Sequence, residues 1–211
     1  MPAGRYAVVY AASTTGFVYA VAARARHVEG ATVAPGTILW RRQLVARPCM
    51  RGTYGVLGTP VIDVRAGRLY VAACDETDLW SAFAVDLHTG AIAPSWPVRL
   101  NGVTVNVPGV RRNGENHFPD KMPYLQRSAL NLSPNGARLY VTFGGEPTPG
   151  WLLAIDTAKA RVASAFSATA VTEEGVGGMW GSGGPAVDRD GTIYVSTGSS
   201  VLNTLAGKGI A

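Results

Sequence analysis

A guanidinium can take a carboxylate bidentately, and an indole can stack on a planar ring. Two short stretches of this 211-residue chain offer that pair, Gln126-Arg127 and Trp180 with Ser182 nearby. Each stretch stands just ahead of a short apolar strand core, as Leu57 and Thr59 do ahead of another. The plainer roles are an Arg127 paired with a neighbouring carboxylate and a Trp180 that fills a packing gap. Other chemistry is sparse. His117 sits with Glu115, Asp120 and Lys121 in a loop-like segment, where a histidine is solvated more often than catalytic; His27 lies among arginines and His88 inside a turn. No nucleophile elbow, P-loop or zinc-binding helix motif is present. The run 175–184 holds six glycines, but it opens a strand and not a helix, so the helix N-terminus of a phosphate cradle is missing. Cys49 and Cys74 are 25 residues apart and lack metal-site spacing. Cys74 follows Leu69-Tyr70-Val71-Ala72-Ala73 and reads as a buried thiol acting as a small hydrophobe. A disulfide between the two, which needs an oxidising compartment, is the alternative.

The elements that must position these residues come from an internal repeat. Thr59-Pro60-Val61-Ile62-Asp63, a glycine turn and Leu69-Tyr70-Val71-Ala72 form one copy. Arg127-Ser128-Ala129-Leu130-Asn131 with Leu139-Tyr140-Val141-Thr142 form another, and Gly184-Pro185-Ala186-Val187-Asp188 with Ile193-Tyr194-Val195-Ser196 a third. Each predicts a hairpin. Val8-Val9-Tyr10-Ala11-Ala12 is a further copy whose first strand is missing or reduced. The marker tyrosines Tyr10, Tyr70, Tyr140 and Tyr194 are separated by 60, 70 and 54 residues, long for one repeat, so inserted loops are expected. Third strands follow at Phe17–Val21, Ala82–Asp86 and Trp151–Asp156, and fourth strands at Ile38–Leu44, Trp96–Leu100 and Arg161–Phe166. Four antiparallel strands whose apolar faces are buried by stacking on neighbours make a propeller blade. The chain therefore reads as all-β: a partial β-propeller of about three and a half four-stranded antiparallel blades over residues 1–200, with 201–211 a tail at a truncation point. The insertions at 24–37 and 101–126 read as surface loops.

Composition agrees with this class. Gly 26, Pro 13 and only 16% charged residues favour short strands and tight turns. No run of about 18 apolar residues exists to span a membrane, and no signal peptide is visible at the start. The net charge of +5 is uneven, with +7 in residues 1–68 and −2 in the remainder. Arg24, Arg26, Arg41, Arg42, Arg47 and Arg51 carry the basic part, without the aromatic interleaving of a nucleic-acid surface. They read as a solvated rim, and nucleic acid is not an expected partner.

Ala84-Val85-Asp86-Leu87-His88-Thr89-Gly90 resembles the Ala-x-Asp-x-x-Thr-Gly turn of pyrroloquinoline-quinone-type (quinoprotein-like) propellers, in which a downstream tryptophan docks neighbouring blades. Trp96 is a displaced counterpart of that tryptophan, Gly36-Thr37-Ile38-Leu39-Trp40 resembles the end of the same motif, and Ala154–Lys159 is a degenerate copy. The resemblance implies pyrroloquinoline quinone with calcium as a cofactor and a periplasmic or secreted location; Arg127, Trp180, Gln126 and Ser182, chosen for their place just ahead of the strand cores, are then the candidate cofactor-binding positions. It does not imply activity, because the same blade serves dehydrogenases and non-catalytic scaffolds. The adjacent cysteine pair of the alcohol-oxidising branch is absent, and half a propeller gathers no catalytic set. The expectation is a binding or scaffold module, a piece of a longer protein completed by its remaining blades or a protein partner. A fragment of a quinone-dependent alcohol or sugar dehydrogenase is the alternative, and a structural or adhesive repeat the third.

Overall fold

A computed structural model describes residues 7–28, 30–106, 115–117, 125–145, 148–168 and 177–198. The tail expected from residue 201 lies outside them. The chain divides into two compact units, Met1–Arg99 and Leu100–Ala211. The fold is all-β, built of the four-stranded antiparallel sheets of a partial β-propeller.

The first unit opens with β1 (Val8–Ala12) and β2 (Phe17–Ala22), followed by a small hairpin of β3 (Arg26–Val28) and β4 (Ala31–Val33), then β5 (Ile38–Gln43). Strands β1, β2 and β5 form an antiparallel sheet in that order, a three-stranded blade among the described residues. A tight turn at Cys49–Gly52 leads to the second blade, with Met50 and Arg51 in left-handed conformations at φ 51 and 57. Its strands are β6 (Val61–Asp63), β7 (Arg68–Cys74), β8 (Trp80–Asp86) and β9 (Val98–Arg99), each paired with the next.

Burial explains the residue patterns. In β2 Val18, Ala20 and Ala22 are buried and alternate with half-buried Phe17, Tyr19 and Val21, the period of a strand with one covered face. In β7 six consecutive residues, Leu69–Cys74, are buried, because both faces are covered. The core between the two blades is asymmetric. The first contributes Tyr10, Ala12, Val18 and Trp40, and the second answers with Leu69, Val71, Phe83 and Val85. The first blade thus turns its tyrosine face toward the aliphatic face of the second. Burying each such aliphatic side chain contributes roughly 1.5–3 kcal/mol.

The second unit begins with a hairpin of β10 (Thr104–Asn106) and β11 (Glu115–His117). A third blade follows, of β12 (Asn131–Leu132), β13 (Arg138–Gly145), β14 (Thr148–Asp156) and β15 (Arg161–Ser167), and then the hairpin of β16 (Ala186–Val187) and β17 (Ile193–Tyr194). Tyr140, Leu152 and Ala154 on the tyrosine face of the third blade pack with Met179 against Val187, Ile193 and Val195, the aliphatic face of the half-blade. The same polarity thus holds in both units.

The insertions differ from expectation. Both carry strand pairs, β3 with β4 and β10 with β11, so backbone groups that a bare loop would leave to water are paired within each insertion. His117 is a strand residue, opposite Thr104. The cysteines also correct the favoured reading of Cys74 as a free thiol: Cys49 and Cys74 are joined in a disulfide, with Cα atoms 5.5 Å apart. An antiparallel bridge between Pro48 and Asp75 brings the turn alongside the end of β7, and both cysteines are fully buried there.

Candidate functional site

The most elaborate polar arrangement in the first unit lies where β8 ends. Asp86 Oδ1 accepts hydrogen bonds from the amides of His88 at 3.0 Å and Thr89 at 2.9 Å and from the Thr89 hydroxyl at 2.9 Å. These close the turn to Gly90, whose φ of +69 favours glycine. Asp86 Oδ2 accepts from Arg68 Nη1 at 2.6 Å, across the register pair that joins the start of β7 to the end of β8. Partial burial works against ionisation of Asp86, but the Thr89, His88 and Arg68 donors together outweigh it and hold the carboxyl below its ordinary value.

This turn is the seat on which the first blade docks. Trp40 Nε1 and the Tyr10 hydroxyl both donate to the Leu87 carbonyl at 3.0 Å, and Arg42 Nε donates to the Gly90 carbonyl at 2.6 Å. A Cβ at position 90 would lie 2.7 Å from the Trp40 ring, so glycine is required by contact as well as by conformation. Tyr10 and Trp40 pack at 5.8 Å between ring centroids. Burial, reinforced by Asp86, raises the Tyr10 phenol above its ordinary value. Trp96 does not dock this way within its unit; it packs on Tyr70 of its own blade at 5.5 Å, as Trp40 does on Tyr10.

The third blade repeats the carboxylate arrangement in reduced form. Asp156 Oδ1 accepts the amides of Ala158 at 3.1 Å and Lys159 at 2.9 Å, and Oδ2 accepts from Arg138 at 3.0 Å. The Lys159 amide, against the effect of burial and with help from Arg138, lowers the Asp156 carboxyl below its ordinary value. Sequence reasoning found the aspartates and missed Arg68 and Arg138. The available signal was their common spacing, each arginine 18 residues ahead of its aspartate and the two pairs 70 residues apart.

The four positions offered for a ligand lie in the second unit, on adjacent segments. Ser128 Oγ donates to the Met179 carbonyl at 2.9 Å, and the Ala129 amide donates to the Ser182 carbonyl at 3.1 Å, so residues 126–129 run beside 179–182. Gln126 is fully buried; its Nε2 donates to the Ser128 carbonyl at 2.6 Å, while Oε1 meets no hydrogen-bond donor among the described residues. Trp180 is half-buried in a cradle of Gly144, Gly178 and Gly198, where an added Cβ would stand 3.1–3.4 Å from its ring. Arg127 and Ser182 are exposed. In the first unit Leu57 is half-buried and Thr59 exposed.

A cavity of about 10 Å³ in the second unit, lined in part by Ser128, Thr142, Met179 and Ser196, has room for about one water molecule. None of the four proposed positions lines it. Among the described residues no group of three or more His, Cys, Asp or Glu is placed to hold a metal ion. As arranged, the described residues do not fit a tricyclic quinone with calcium, because the orphaned Gln126 oxygen has no roomy cavity of acidic donors around it.

The arginines of the first unit are dispersed. Arg42 serves the docking seat, and Arg47 pairs with Glu76 at 3.4 Å on the surface. No helix among the described residues is long and apolar enough to cross a membrane.

No family profile matches the sequence, and no curated protein does. Solved structures similar to parts of the chain include a protein assigned as a 6-phosphogluconolactonase from Bacteroides fragilis, with 16% identity over 77% of this chain and 35% of that one, at a TM-score of 0.37. The Dos1 propeller has 10% identity over 90% of this chain and 50% of its own, also at 0.37. Hydrazine synthase of Kuenenia stuttgartiensis has 13% identity over 86% of this chain and 52% of its own, at 0.27. The chain thus spans between about a third and a half of the length of these structures.

Proposed function

We propose that this chain is a quinoprotein-like β-propeller repeat module acting as a binding or scaffold domain, with residues 1–200 part of a longer propeller completed by further blades or a protein partner. One observation carries the reading: Trp40 of one blade donates to Leu87 and covers Gly90 on the Asp-x-x-Thr-Gly turn of the next. That is the inter-blade docking implied by the resemblance of Ala84–Gly90 and Gly36–Trp40. The polar groups at this seat are consumed in holding blades together, which suits a scaffold. The Cys49–Cys74 disulfide favours an oxidising location, periplasmic or secreted.

The test is calorimetric titration of pyrroloquinoline quinone, with excess calcium, into protein shown to melt cooperatively. A folded protein that binds nothing is expected. Saturable binding that disappears in Arg127→Ala and Trp180→Ala would replace this reading with a dehydrogenase fragment in which Arg127, Trp180, Gln126 and Ser182 contact the quinone.

A further inference from the structure

Ser133-Pro134-Asn135-Gly136 turns the chain from β12 into β13, with the Gly136 amide donating to the Ser133 carbonyl at 2.8 Å. Asn135 is exposed, and its carboxamide is folded over the Gly136 peptide, because Oδ1 accepts the Ala137 amide at 3.0 Å. The Ser133 hydroxyl donates to the same oxygen at 2.7 Å and is itself fixed by the Arg138 amide at 2.9 Å. Asn135 Nδ2 donates to nothing among the described residues. Asn131 is the contrast: its Nδ2 donates to the Pro185 carbonyl at 2.8 Å, and a leucine follows it. Gly136, at φ +73, has no side chain to screen its nitrogen from the Asn135 carboxamide carbon.

Two donors aimed at one carbonyl oxygen stabilise the negative charge that builds there when a nucleophile adds to its carbon. We propose that Asn135 is a site of deamidation directed by its own turn, a covalent modification whose only co-reactant is water. The Gly136 nitrogen gives up its proton to solvent base, and with it the bond to the Ser133 carbonyl, and attacks Asn135 Cγ. The Cγ–Nδ2 bond breaks, and ammonia leaves with a proton taken from water. A cyclic imide remains. Water then adds at Cγ, the carbonyl that the two donors polarise, and the new bond from Cγ to the Gly136 nitrogen breaks, leaving aspartate at 135 and the main chain intact. Addition at the main-chain carbonyl instead would give isoaspartate and insert a carbon into the chain, against the register that pairs Asn131 with Tyr140 and Leu132 with Leu139. Aspartate suits the turn, because the same donors bond a carboxylate more strongly than an amide. The corresponding turn of the half-blade already carries Asp190-Gly191, with Asp190 exposed.

The test incubates the folded chain at mildly alkaline pH in heavy-oxygen water and maps its peptides by mass spectrometry. Fragmentation separates position 135 from Asn131 and from the other Asn-Gly steps, at 101 and 113. Position 135 is expected to exchange its amide for a labelled carboxyl while Asn131 stays an amide, with aspartate in excess of isoaspartate. Ser133→Ala, which removes one donor, should slow the conversion by roughly tenfold, the rate equivalent of one hydrogen bond. Asn135→Gln, which must close a larger ring, should abolish it. A cooperative melt shows whether each variant is folded; if Ser133→Ala is not, the product ratio in the wild-type chain decides. Conversion confined to chain unfolded in guanidinium, isoaspartate in excess, or a rate that a folded Ser133→Ala leaves unchanged or raises overturns the proposal.

Discussion

Trp40 and Leu87 are 47 residues apart, and the indole N–H of the first donates to the carbonyl of the second across 3.0 Å. Trp40→Ala removes both this bond and the cover over Gly90, leaving the Leu87 carbonyl with Tyr10 alone. The first unit should lose about 3 kcal/mol, in the range for large-to-small changes at packed aromatics. Trp40→Phe keeps much of the packing and should cost about 1 kcal/mol for the lost hydrogen bond. Urea unfolding followed by circular dichroism separates the two variants.

Asp86 and Asp156 both have lowered pKa values, so they stabilise the fold fully above the ordinary aspartate pKa. That contribution is lost as pH falls through their depressed folded values. Melting temperature measured from neutral pH down to about pH 3, a range spanning the ordinary carboxylate pKa, should fall on the acid side. The double variant Asp86→Asn, Asp156→Asn should begin lower at neutral pH and show a shallower acid limb. An unchanged acid limb would place the acid sensitivity in other carboxylates.

The disulfide closes a loop with a sequence separation of 25 residues. Restricting the unfolded chain over a loop of this size is worth about 3 kcal/mol in the chain-entropy description. Reduction, or the paired change Cys49→Ser with Cys74→Ser, should lower the denaturation midpoint accordingly. Free-thiol titration of the unreduced, denatured protein should detect no thiol.

Gln126 occupies the repeat position of Val56 in the second blade, 70 residues earlier, and both are buried. Its Oε1 has no described donor, and leaving a buried acceptor unpaired is costly. Gln126→Met should raise stability by about 1 kcal/mol, read from the same urea curves. A loss of stability would mean that Oε1 has a donor in the folded protein, or that the Nε2 bond to the Ser128 carbonyl outweighs the unpaired oxygen.

Much of the architecture was legible because blade strands are short apolar runs punctuated by glycine and aspartate. Tyr10, Tyr70, Tyr140 and Tyr194 marked the repeat, and all four fall in strands or at their ends. The paired strands inside the two insertions were not legible, since Ala31-Thr32-Val33 and Glu115-Asn116-His117 lack a distinctive alternation. The disulfide was missed as the favoured reading because a cysteine at the end of a buried strand has the same local sequence whether or not it is bonded. The pairing depends on the turn after Pro48 reaching Asp75, a contact that no local pattern announces. The ligand positions were read from strand geometry alone. Glycines at 144, 178 and 198 stand close to the Trp180 ring, in keeping with the plainer role of that residue as the filler of a packing gap.

The segment Val56–Asp86 maps onto Gln126–Asp156 at one constant offset of 70 residues, with Arg68–Asp86 and Arg138–Asp156 bonded alike. A gene segment of that length could be duplicated or excised by unequal recombination while the strand order and the Arg–Asp clasp stay in register. Descendants differing by a whole blade would then arise in one genetic event, and selection would have only the stacking surfaces left to refine.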